Sequence, residues 1–418
     1  MKVKNREIEI LAPAGSFAAL RAAINAGCDA VYFGLADLNM RATAAANFTY
    51  DDLNEIMQIC KQNNIKAYVT LNVLVYDDEM TKVREIIDRV KLAGVDAVIA
   101  ADMAVIEYAR AQGVEIHIST QMSVSNVESV KFYSKFADCI VLARELTLEK
   151  VTSICEQVRE QNLCGPKGEL MQIEVFAHGA LCVAVSGRCS MSLYCYNASA
   201  NRGRCTQVCR RKYKVVDPDT GKELTVDNNY VMSSADLCTI GMLDKLVNSG
   251  ISVLKFEGRG RSPDYVDLVI RTYREALKSI NEDTYTLDKI LQWNKDLKTV
   301  FNRGLSQGYY MGRTVEEWSG VNGSKTTDEK VQIGLVEKYY PKAQIVQVLI
   351  QSQNSVNRGD EFMIIGPETG VVRGELTEFW LNEILAQTAK QGDVITFKSA
   401  IPVRKNDIFF ILKPITRI

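Results

Sequence analysis

The sequence has only two histidines in 418 residues and no apolar run near the roughly 18 residues that span a bilayer. Its first residues, MKVKNREIEILAPAG, lack the apolar stretch of a secretory signal peptide. Two histidines also exclude a zinc site built mainly from imidazole ligands. We therefore expect a cytoplasmic protein that makes no membrane contact.

The chain also lacks a strong charge of either sign. Its 50 Lys and Arg residues nearly balance 51 Asp and Glu residues, for a net charge of −1. No overall field attracts nucleic acid, so a nucleic-acid site must be a local basic patch. The 47% hydrophobic content is that of a folded globular protein, and the length suggests two or three domains.

Cysteine, in contrast, is abundant. The cytosol keeps thiols reduced, so clustered cysteines there indicate metal binding or catalysis rather than disulfides. Five are scattered and are interpreted as small core residues: Cys28, Cys60, Cys139, Cys155 and Cys164. The other six fall within 57 residues: Cys182, Cys189, Cys195, Cys205, Cys209 and Cys238. Because paired C-x2-C units are missing, spacing alone leaves zinc and an iron–sulfur cluster both open.

A repeated pattern organises the first 260 residues. Helical segments end at glycine and short apolar runs follow, as in AGCDAVYFGL (26–35) and AGVDAVIAAD (93–102). Strands are predicted at 9–15, 30–35, 66–72, 97–102, 115–121, 139–145, 172–179 and 252–258. Eight strands alternating with amphipathic helices predict an α/β fold, a (β/α)8 TIM-like barrel. A doubly wound open sheet is the alternative, but APAGSF after the first strand is not its GxGxxG fingerprint.

Three parts are predicted along the chain. Residues 1–300 would form the barrel, with a cysteine-rich insertion at about 180–250 after strand 7. Residues 301–330 are interpreted as a glycine-dotted linker, and residues 331–418 as a small C-terminal all-β barrel domain. Insertions this long inside a compact domain are usually functional.

Polar residues follow most predicted barrel strands, at the end where such barrels carry their active sites. They predict a polar pocket lined by Asn72, Asp102, Gln121, Arg144, Glu145, His178, Glu257 and Arg259. Glu174 lies four residues before His178 on one strand, so the two are predicted to share a face. The alternative is a peptidase in which Cys182 is the nucleophile and His178 its base.

A basic run accompanies the cysteines. It consists of Arg202, Arg204, Arg210, Arg211, Lys212 and Lys214, interleaved with Tyr194, Tyr196 and Tyr213. Arginine beside aromatic residues favours RNA, through phosphate contacts and base stacking. The alternative is a solvated loop.

Several stretches carry a family resemblance. They are EVFAHGALCVAVSGRC (174–189), RGRCTQVCR (202–210), SADLC (234–238) and EILAPAGSFAALRAAINAGCDAVYFGL (9–35). Over about residues 7–280 the chain resembles the peptidase U-32 family. The resemblance implies a four-iron four-sulfur cluster on Cys182, Cys189, Cys205 and Cys238. Cys209, or less favourably Cys195, would be the substitute for one of these ligands.

Within that family the chain is most similar to the tRNA hydroxylation proteins. This similarity implies oxygen-independent hydroxylation of the wobble uridine in the tRNA anticodon loop to 5-hydroxyuridine, with prephenate as the source of the hydroxyl group. Arg144, Arg188 or Arg259 would bind the carboxylates of prephenate, and His178 or Glu174 would move protons. The alternatives are hydroxylation of a ribosomal RNA cytidine or a ubiquinone precursor, a collagenase-like peptidase, and an assembly factor paired with a homologous family subunit.

Overall fold

A closed parallel barrel forms the larger part of the protein. The computed structural model describes residues 2–3, 6–36, 38–43, 45–224, 230, 232–312, 318–321 and 323–415. The barrel strands are β1 Glu9–Pro13, β2 Ala30–Gly34, β3 Lys66–Leu71, β4 Ala97–Ala100, β5 Ile116–Ile118, β6 Cys139–Val141, β7 Gln172–Ala180 and β8 Val253–Phe256. Each pairs in parallel with the next, and β8 also pairs with β1. The predicted α/β barrel and its eight strands are confirmed.

The described helices pack around the barrel, apart from Met191–Tyr196, which lies in the cysteine-rich insertion with most of its side chains exposed. They are α1 Phe17–Asn25, α2 Asp52–Gln62, α3 Met80–Ala93, α4 Met103–Ala111, α5 Val127–Tyr133, α6 Leu148–Glu160, α7 Met191–Tyr196, α8 Leu243–Asn248, α9 Pro263–Asn281 and α10 Leu287–Leu297. Local signals set their ends: the Ser16 side chain caps α1, and Gly94 closes α3 in the left-handed region at φ 72°. No helix in the described ranges is long and apolar enough to cross a membrane.

A bulge in β7 changes the prediction for His178. Phe176 pairs with Lys255 but His178 pairs with Phe256, so β7 accommodates one extra residue, Ala177. Side chains alternate along a strand, so the extra residue inverts the faces from there on. Glu174 points into the barrel, whereas His178 packs outward against α9. The prediction that they share a face is wrong for this reason.

The cysteine-rich insertion runs from β7 to β8 and is partly ordered by the barrel sheet. Its strand Asp236–Cys238 pairs antiparallel with β7, and Leu305–Ser306 extends the same sheet. The turn at Gly203 (φ 80°) packs so closely on the loop after β2 that a Cβ there would lie 2.2 Å from the Asn39 carbonyl oxygen. The insertion also holds the short pair Val215–Val216 and Glu223–Leu224.

Single 3₁₀ turns occur at Asp77–Glu79, Thr120–Met122, Val185–Gly187, Ala200–Arg202, Val208–Arg210 and Ile240–Met242. At the N-terminus, Lys2–Val3 pairs with Arg6–Glu7. These short elements do not form a further layer around the barrel. The turns that belong to the insertion lie over the C-terminal end of the barrel.

An antiparallel sheet forms the C-terminal part, as the all-β prediction required. Its strands, in spatial order, are Gly370–Glu375, Glu361–Gly366, Ile408–Pro414, Asp328–Tyr340, Ile345–Ile350, Val394–Lys398, Phe379–Leu381 and Ile384–Ala386. Val356–Asn357 pairs separately with Thr388–Ala389. The sheet encloses its own apolar core and contacts the barrel, where the Asn25 side chain donates to the Thr369 carbonyl at 3.1 Å.

The predicted connector at 301–330 is engaged with the barrel through Leu305–Ser306. Its residues 313–317 and 322 lie outside the described residues. The domain bounds at 300 and 331 stay a prediction.

Candidate active site

A cavity of about 200 Å³ opens at the C-terminal end of the barrel, beneath the insertion. Strand ends supply its floor and walls, including Thr70, Asn72, Gln121, Arg144 and Glu257. The insertion supplies its roof. Concave sites with a few converging polar groups are the usual ligand sites of such barrels.

Four cysteines of the insertion line this one cavity: Cys182, Cys189, Cys205 and Cys209. Burial raises the pKa of the Cys209 thiol, Arg210 lowers it, and the nearby thiols of Cys182, Cys205 and Cys189 raise it further. Cys182, Cys189 and Cys205 are therefore near enough to act on the Cys209 thiol, and all four border one cavity. Thiolates are soft ligands of the kind that bind zinc or iron–sulfur clusters.

Cys238 lies apart from these four thiols. It is 5% exposed, does not line the cavity, and accepts a hydrogen bond at Sγ from the Tyr273 hydroxyl at 3.8 Å. Burial raises the pKa of its thiol to about 11. Of the expected ligands, the structure thus brings Cys182, Cys189 and Cys205 together and adds Cys209 where the family pattern has Cys238. Cys195 is exposed and also lies outside the cavity lining.

The cavity is strongly cationic. Among its described lining residues one carboxylate, Glu257, faces seven basic side chains: Arg41, Arg144, Arg210, Arg259, Arg261, Arg303 and Lys255. A low-dielectric cleft lined by one sign of charge concentrates ligands of the opposite sign. The cavity therefore favours an anion such as a phosphate or a carboxylate.

Glu257 organises two of the guanidinium groups. Its Oε1 lies 3.0 Å from Arg41 Nη2, and its Oε2 lies 3.8 Å from Arg144 Nη2. Burial raises the pKa of Glu257, but Arg41, Arg144 and Arg259 outweigh it and lower the pKa to about 2. Arg144 also stacks on the Phe176 ring at 3.5 Å, which fixes its plane at the cavity wall.

Arg259 is anchored rather than free to swing. It is 5% exposed, and its Nη1 donates to Asn39 Oδ1 at 3.0 Å and to Thr70 Oγ1 at 2.9 Å. Arg188, the third predicted carboxylate ligand, is exposed and donates to the Gln121 carbonyl at 3.1 Å. Arg144 and Arg259 therefore line the cavity as predicted, whereas Arg188 lies outside its lining.

The two predicted proton-transfer residues have no surface in the cavity. His178 is buried between Tyr265 and Tyr273, with Nδ1 3.4 Å from the Tyr273 hydroxyl. Burial, with a contribution from Arg261, lowers the pKa of His178 to about 3, so the ring is neutral at pH 7. Glu174 is 0% exposed and pairs with Lys255, which does line the cavity.

The basic run of the insertion divides into inward and outward side chains. Arg210 is turned inward and donates to the Leu181 carbonyl at 2.6 Å and to Ser233 at 3.1 Å. Arg202 pairs with Glu79 at 2.6 Å and stacks on Tyr76 at 3.8 Å. The exposed members are Arg204, Arg211, Lys212 and Lys214, and Lys214 pairs with Glu223 at 3.0 Å. These four side chains are the members of the run positioned to contact an RNA backbone.

Exposed aromatic side chains accompany these cations. Tyr194 is 91% exposed and Tyr196 is 50% exposed on α7, and the Arg211 guanidinium stacks on Tyr196 at 4.8 Å. Exposed tyrosines beside arginine are a common arrangement for stacking unpaired nucleobases. We call Tyr194, Tyr196, Arg211 and Lys212 the aromatic–basic strip.

Sequence reasoning missed four cationic lining residues: Arg41, Arg261, Arg303 and Lys255. Lys255 offered one signal, because it is a charged residue inside a strand predicted to be buried on both faces. Arg41 and Arg303 lie in loops far apart in sequence, and only the folded chain brings them to one cavity.

Comparisons with known proteins identify relatives of the whole chain. The model of Peptidase family U32 matches residues 15–320. A protein named collagenase from Porphyromonas gingivalis strain W83 is 45% identical over 96% of this chain and 97% of its own length. The tRNA hydroxylation protein P1 of Bacillus subtilis is 33% identical over 88% of this chain and 85% of its own length.

A third relative is an RNA-modifying enzyme by name. The 23S rRNA 5-hydroxycytidine C2501 synthase of Escherichia coli is 35% identical over 68% of this chain and 41% of its own length. The solved structure of the U32 peptidase Mk0906 covers 62% of this chain and 94% of its own, with 11% identity and a TM-score of 0.39. A likeness at that level carries no argument about the site, and the barrel rests on the strand pairing described above.

Proposed function

Because the chain belongs to peptidase family U32, we propose that it is an RNA-modifying hydroxylase that converts the wobble uridine of tRNA to 5-hydroxyuridine. The observation that carries the proposal is the cationic cavity lined by four cysteines, in a chain related over most of its length to a tRNA hydroxylation protein. A flexible anticodon loop can present an unpaired base to such a cavity, since unpaired RNA bases are readily splayed out.

The four cavity thiols fit an iron–sulfur cluster. We propose that Cys182, Cys189, Cys205 and Cys209 hold a four-iron four-sulfur cluster, which would supply one-electron transfer for the hydroxylation. Thiolate ligands carry negative charge, and nearby cations compensate it. Glu257 raises the pKa of Arg41 most strongly and the Cys205 thiol adds to the rise, so this thiol faces a guanidinium group.

The guanidinium groups would bind the co-substrate. Prephenate carries carboxylates, and Arg144 and Arg259 line the cavity with planar donor groups that match carboxylate geometry. The tRNA phosphates would lie on the aromatic–basic strip outside. A homologous family member would be the partner subunit of this chain. Co-purification of the two proteins from cells at native expression tests this pairing.

The decisive experiment is nucleoside analysis of tRNA. Cells that lack the gene should lose 5-hydroxyuridine and its derivatives, and the wild-type gene should restore them. The Arg144→Lys variant should restore them poorly, because lysine keeps the charge but loses the planar fork. If cells that lack the gene keep 5-hydroxyuridine in tRNA but lose hydroxycytidine in ribosomal RNA, the substrate is ribosomal RNA and not tRNA. No change in either RNA would refute RNA hydroxylation.

The aromatic–basic strip should bind tRNA by two separable effects. Tyr194→Ala is expected to weaken binding by about 1–3 kcal/mol, because one stacked base is lost, with no change in salt dependence. Arg211→Glu is expected to weaken binding and lower the salt slope by about one or more units, because phosphate contacts are lost. Filter binding of anticodon stem-loop RNA at several salt concentrations measures both.

The control is Lys245→Glu, an equal charge reversal at an exposed residue of α8 outside the strip. Binding should change little in this variant. If Lys245→Glu weakens binding as much as Arg211→Glu, the attraction is nonspecific and the basic run is a solvated loop.

A peptidase is the second candidate, favoured by the 45% identical relative named collagenase. The predicted dyad gains little support, because Cys182 faces the cavity whereas His178 lies among buried tyrosines. Cleavage of gelatin or collagen peptides by metal-free, unreduced protein would establish this activity. Loss of that cleavage in Cys182→Ala would assign it to the thiol.

A further inference from the structure

A column of polar side chains runs through the interior of the barrel, among apolar residues such as Leu11, Ile99 and Val253. The interior of such barrels is normally packed with branched apolar residues. Here it holds Glu174 (0% exposed), Cys139 (0%), His117 (1%) and Lys255 (5%). Burial of ionisable groups is unfavourable unless they are paired, and apolar residues of similar volume would pack the barrel at least as stably. The column therefore calls for a functional explanation.

The upper end of the column is the floor of the active-site cavity. Lys255 lines that cavity, and its Nζ lies 4.7 Å from the centre of the Tyr32 ring and 2.6 Å from Glu174 Oε1. Glu174 has no exposed surface of its own. Lys255 is therefore the residue through which Glu174 can act on a bound substrate.

The column continues downward from Glu174. Cys139 Sγ donates to Glu174 Oε2 at 3.8 Å. A ring nitrogen of His117, the Cys139 sulfur and a Glu174 oxygen all lie within 4.8 Å of one another. One water molecule or a small rotation of the imidazole spans a gap of this size. His117 Nδ1 is buried and has no hydrogen-bond partner among the described groups, so it is available for such a contact.

The lower end of the column reaches a second cavity at the opposite face of the barrel. His117 Nε2 lies 3.2 Å from Glu115 Oε1, and Glu115 lines a cavity of about 220 Å³ together with Lys66, Tyr68, Asp96 and Lys167. Burial raises the pKa of Glu115, but His117 and Lys167 outweigh it and lower the pKa to about 2. A carboxylate thus stands between water and the imidazole.

We propose that Lys255 donates a proton to the substrate in the active-site cavity, and that Glu174, Cys139 and His117 return a proton to it from the cavity at the opposite end of the barrel. This inference rests on the proposed hydroxylase for the identity of the substrate. It assigns the supply of protons at the cavity floor to buried residues.

The relay balances as a series of single proton transfers. The Lys255 ammonium gives one proton to a basic atom of the substrate and becomes an amine. The Glu174 carboxylate takes a proton from the Cys139 thiol and passes it to the Lys255 amine, which leaves a carboxylate and a thiolate. The His117 imidazole takes a proton from solvent beside Glu115 and, as an imidazolium, gives one to the Cys139 thiolate. One proton moves from the lower cavity to the substrate, and no electron is transferred.

A metal ion held by His117, Cys139 and Glu174 is the competing use of these side chains. The Lys255 ammonium, 2.6 Å from a Glu174 oxygen, opposes it because two cations would share one carboxylate. Stoichiometric zinc that is lost in both His117→Gln and Cys139→Val would overturn the relay in favour of this metal site.

Two substitutions of Cys139 distinguish a role in proton transfer from a role in packing, because they change the turnover rate differently. Cys139→Val removes the exchangeable proton at similar volume, and Cys139→Ser retains one. We expect about a tenfold lower kcat for 5-hydroxyuridine formation in Cys139→Val, near wild-type kcat in Cys139→Ser, and unchanged KM for tRNA in both. Cys155→Val, a buried thiol on α6, is the matched control and should resemble wild type. Equal losses in the serine and valine variants would assign Cys139 a packing role only.

Lys255→Met should lower kcat by about 100-fold or more while iron content and the KM for tRNA stay unchanged, as for loss of a general acid. A variant with wild-type kcat would remove Lys255 as the donor. Thermal unfolding of each variant shows whether a loss reflects an unfolded protein.

A resting-state measurement tests the relay without any RNA reaction. Hydrogen exchange of the Lys255 ammonium, followed by NMR on ¹⁵N-lysine-labelled full-length protein, should slow in Cys139→Val and recover in Cys139→Ser. Equal exchange in all three proteins would overturn the relay even if tRNA is hydroxylated. Slowed exchange in a protein that hydroxylates no RNA would refute the proposed function and leave the relay standing.

Discussion

Cys209→Ser is expected to abolish cluster binding, whereas Cys238→Ser is expected to leave about four iron and four sulfide per chain. The reason is geometric: Cys209 lines the cavity with Cys182, Cys189 and Cys205, and Cys238 lies outside that lining. Chemical analysis of iron and acid-labile sulfide on anaerobically purified protein measures the difference. The visible absorption of the cluster should follow the same pattern.

Cys195→Ser is the matched control, because Cys195 is an exposed thiol of the same insertion outside the cavity. It should retain full iron content. Loss of iron in Cys238→Ser with retention in Cys209→Ser would restore the ligand set that the family pattern implies. Zinc in place of iron in wild-type protein would refute the cluster altogether.

Glu257→Gln is expected to lower the free energy of unfolding by about 3 kcal/mol at pH 7, since a pKa lowered from 4.5 to about 2 corresponds to that difference. The carboxylate is the counter-charge for Arg41 and Arg144 inside the cavity. Removing one partner of a buried ion pair leaves the others uncompensated, which is strongly destabilising. Thermal unfolding of the two proteins side by side measures the loss.

The pH dependence of this loss has a definite sign. The folded pKa of Glu257 is depressed, so its stabilisation is fully present above the unfolded value of about 4.5 and is lost as pH falls toward 2. The difference between wild type and Glu257→Gln should therefore shrink below about pH 4.5. Glu282→Gln, which removes an exposed carboxylate 3.8 Å from Lys278, should change little at any pH. A difference that grows at low pH would mean that Glu257 is protonated in the folded protein.

The barrel was predictable because its signals are local. Four of the strands, β2, β4, β5 and β8, are short apolar runs after a glycine that ends a helix, so neighbouring residues alone mark them. The bulge at Ala177 left no such mark, because a bulge is defined by pairing with another strand. Its consequence is large: it turns His178 away from the barrel interior and leaves Glu174 inside.

The location and type of the site were predictable from the sequence, but the residues that line it were not. Clustered cysteines, polar strand ends and a basic run indicated a ligand site at the C-terminal end of the barrel, and the cavity lies there. Arg210 and Arg211 are adjacent in sequence, yet one is anchored inside and the other is exposed. Sequence spacing cannot separate them, because their directions depend on carbonyl groups supplied by distant segments.

The sequence by itself determined the barrel, the all-β C-terminal part and the family, because periodicity and motifs are properties of neighbouring residues. Only the tertiary structure decided which thiols meet, which guanidinium groups share Glu257, and that Lys255 joins the cavity to a polar column. Those contacts depend on the path of the insertion, which is fixed where Gly203 packs backbone to backbone on the loop after β2. Long-range packing, rather than spacing along the chain, therefore selects the residues of the site.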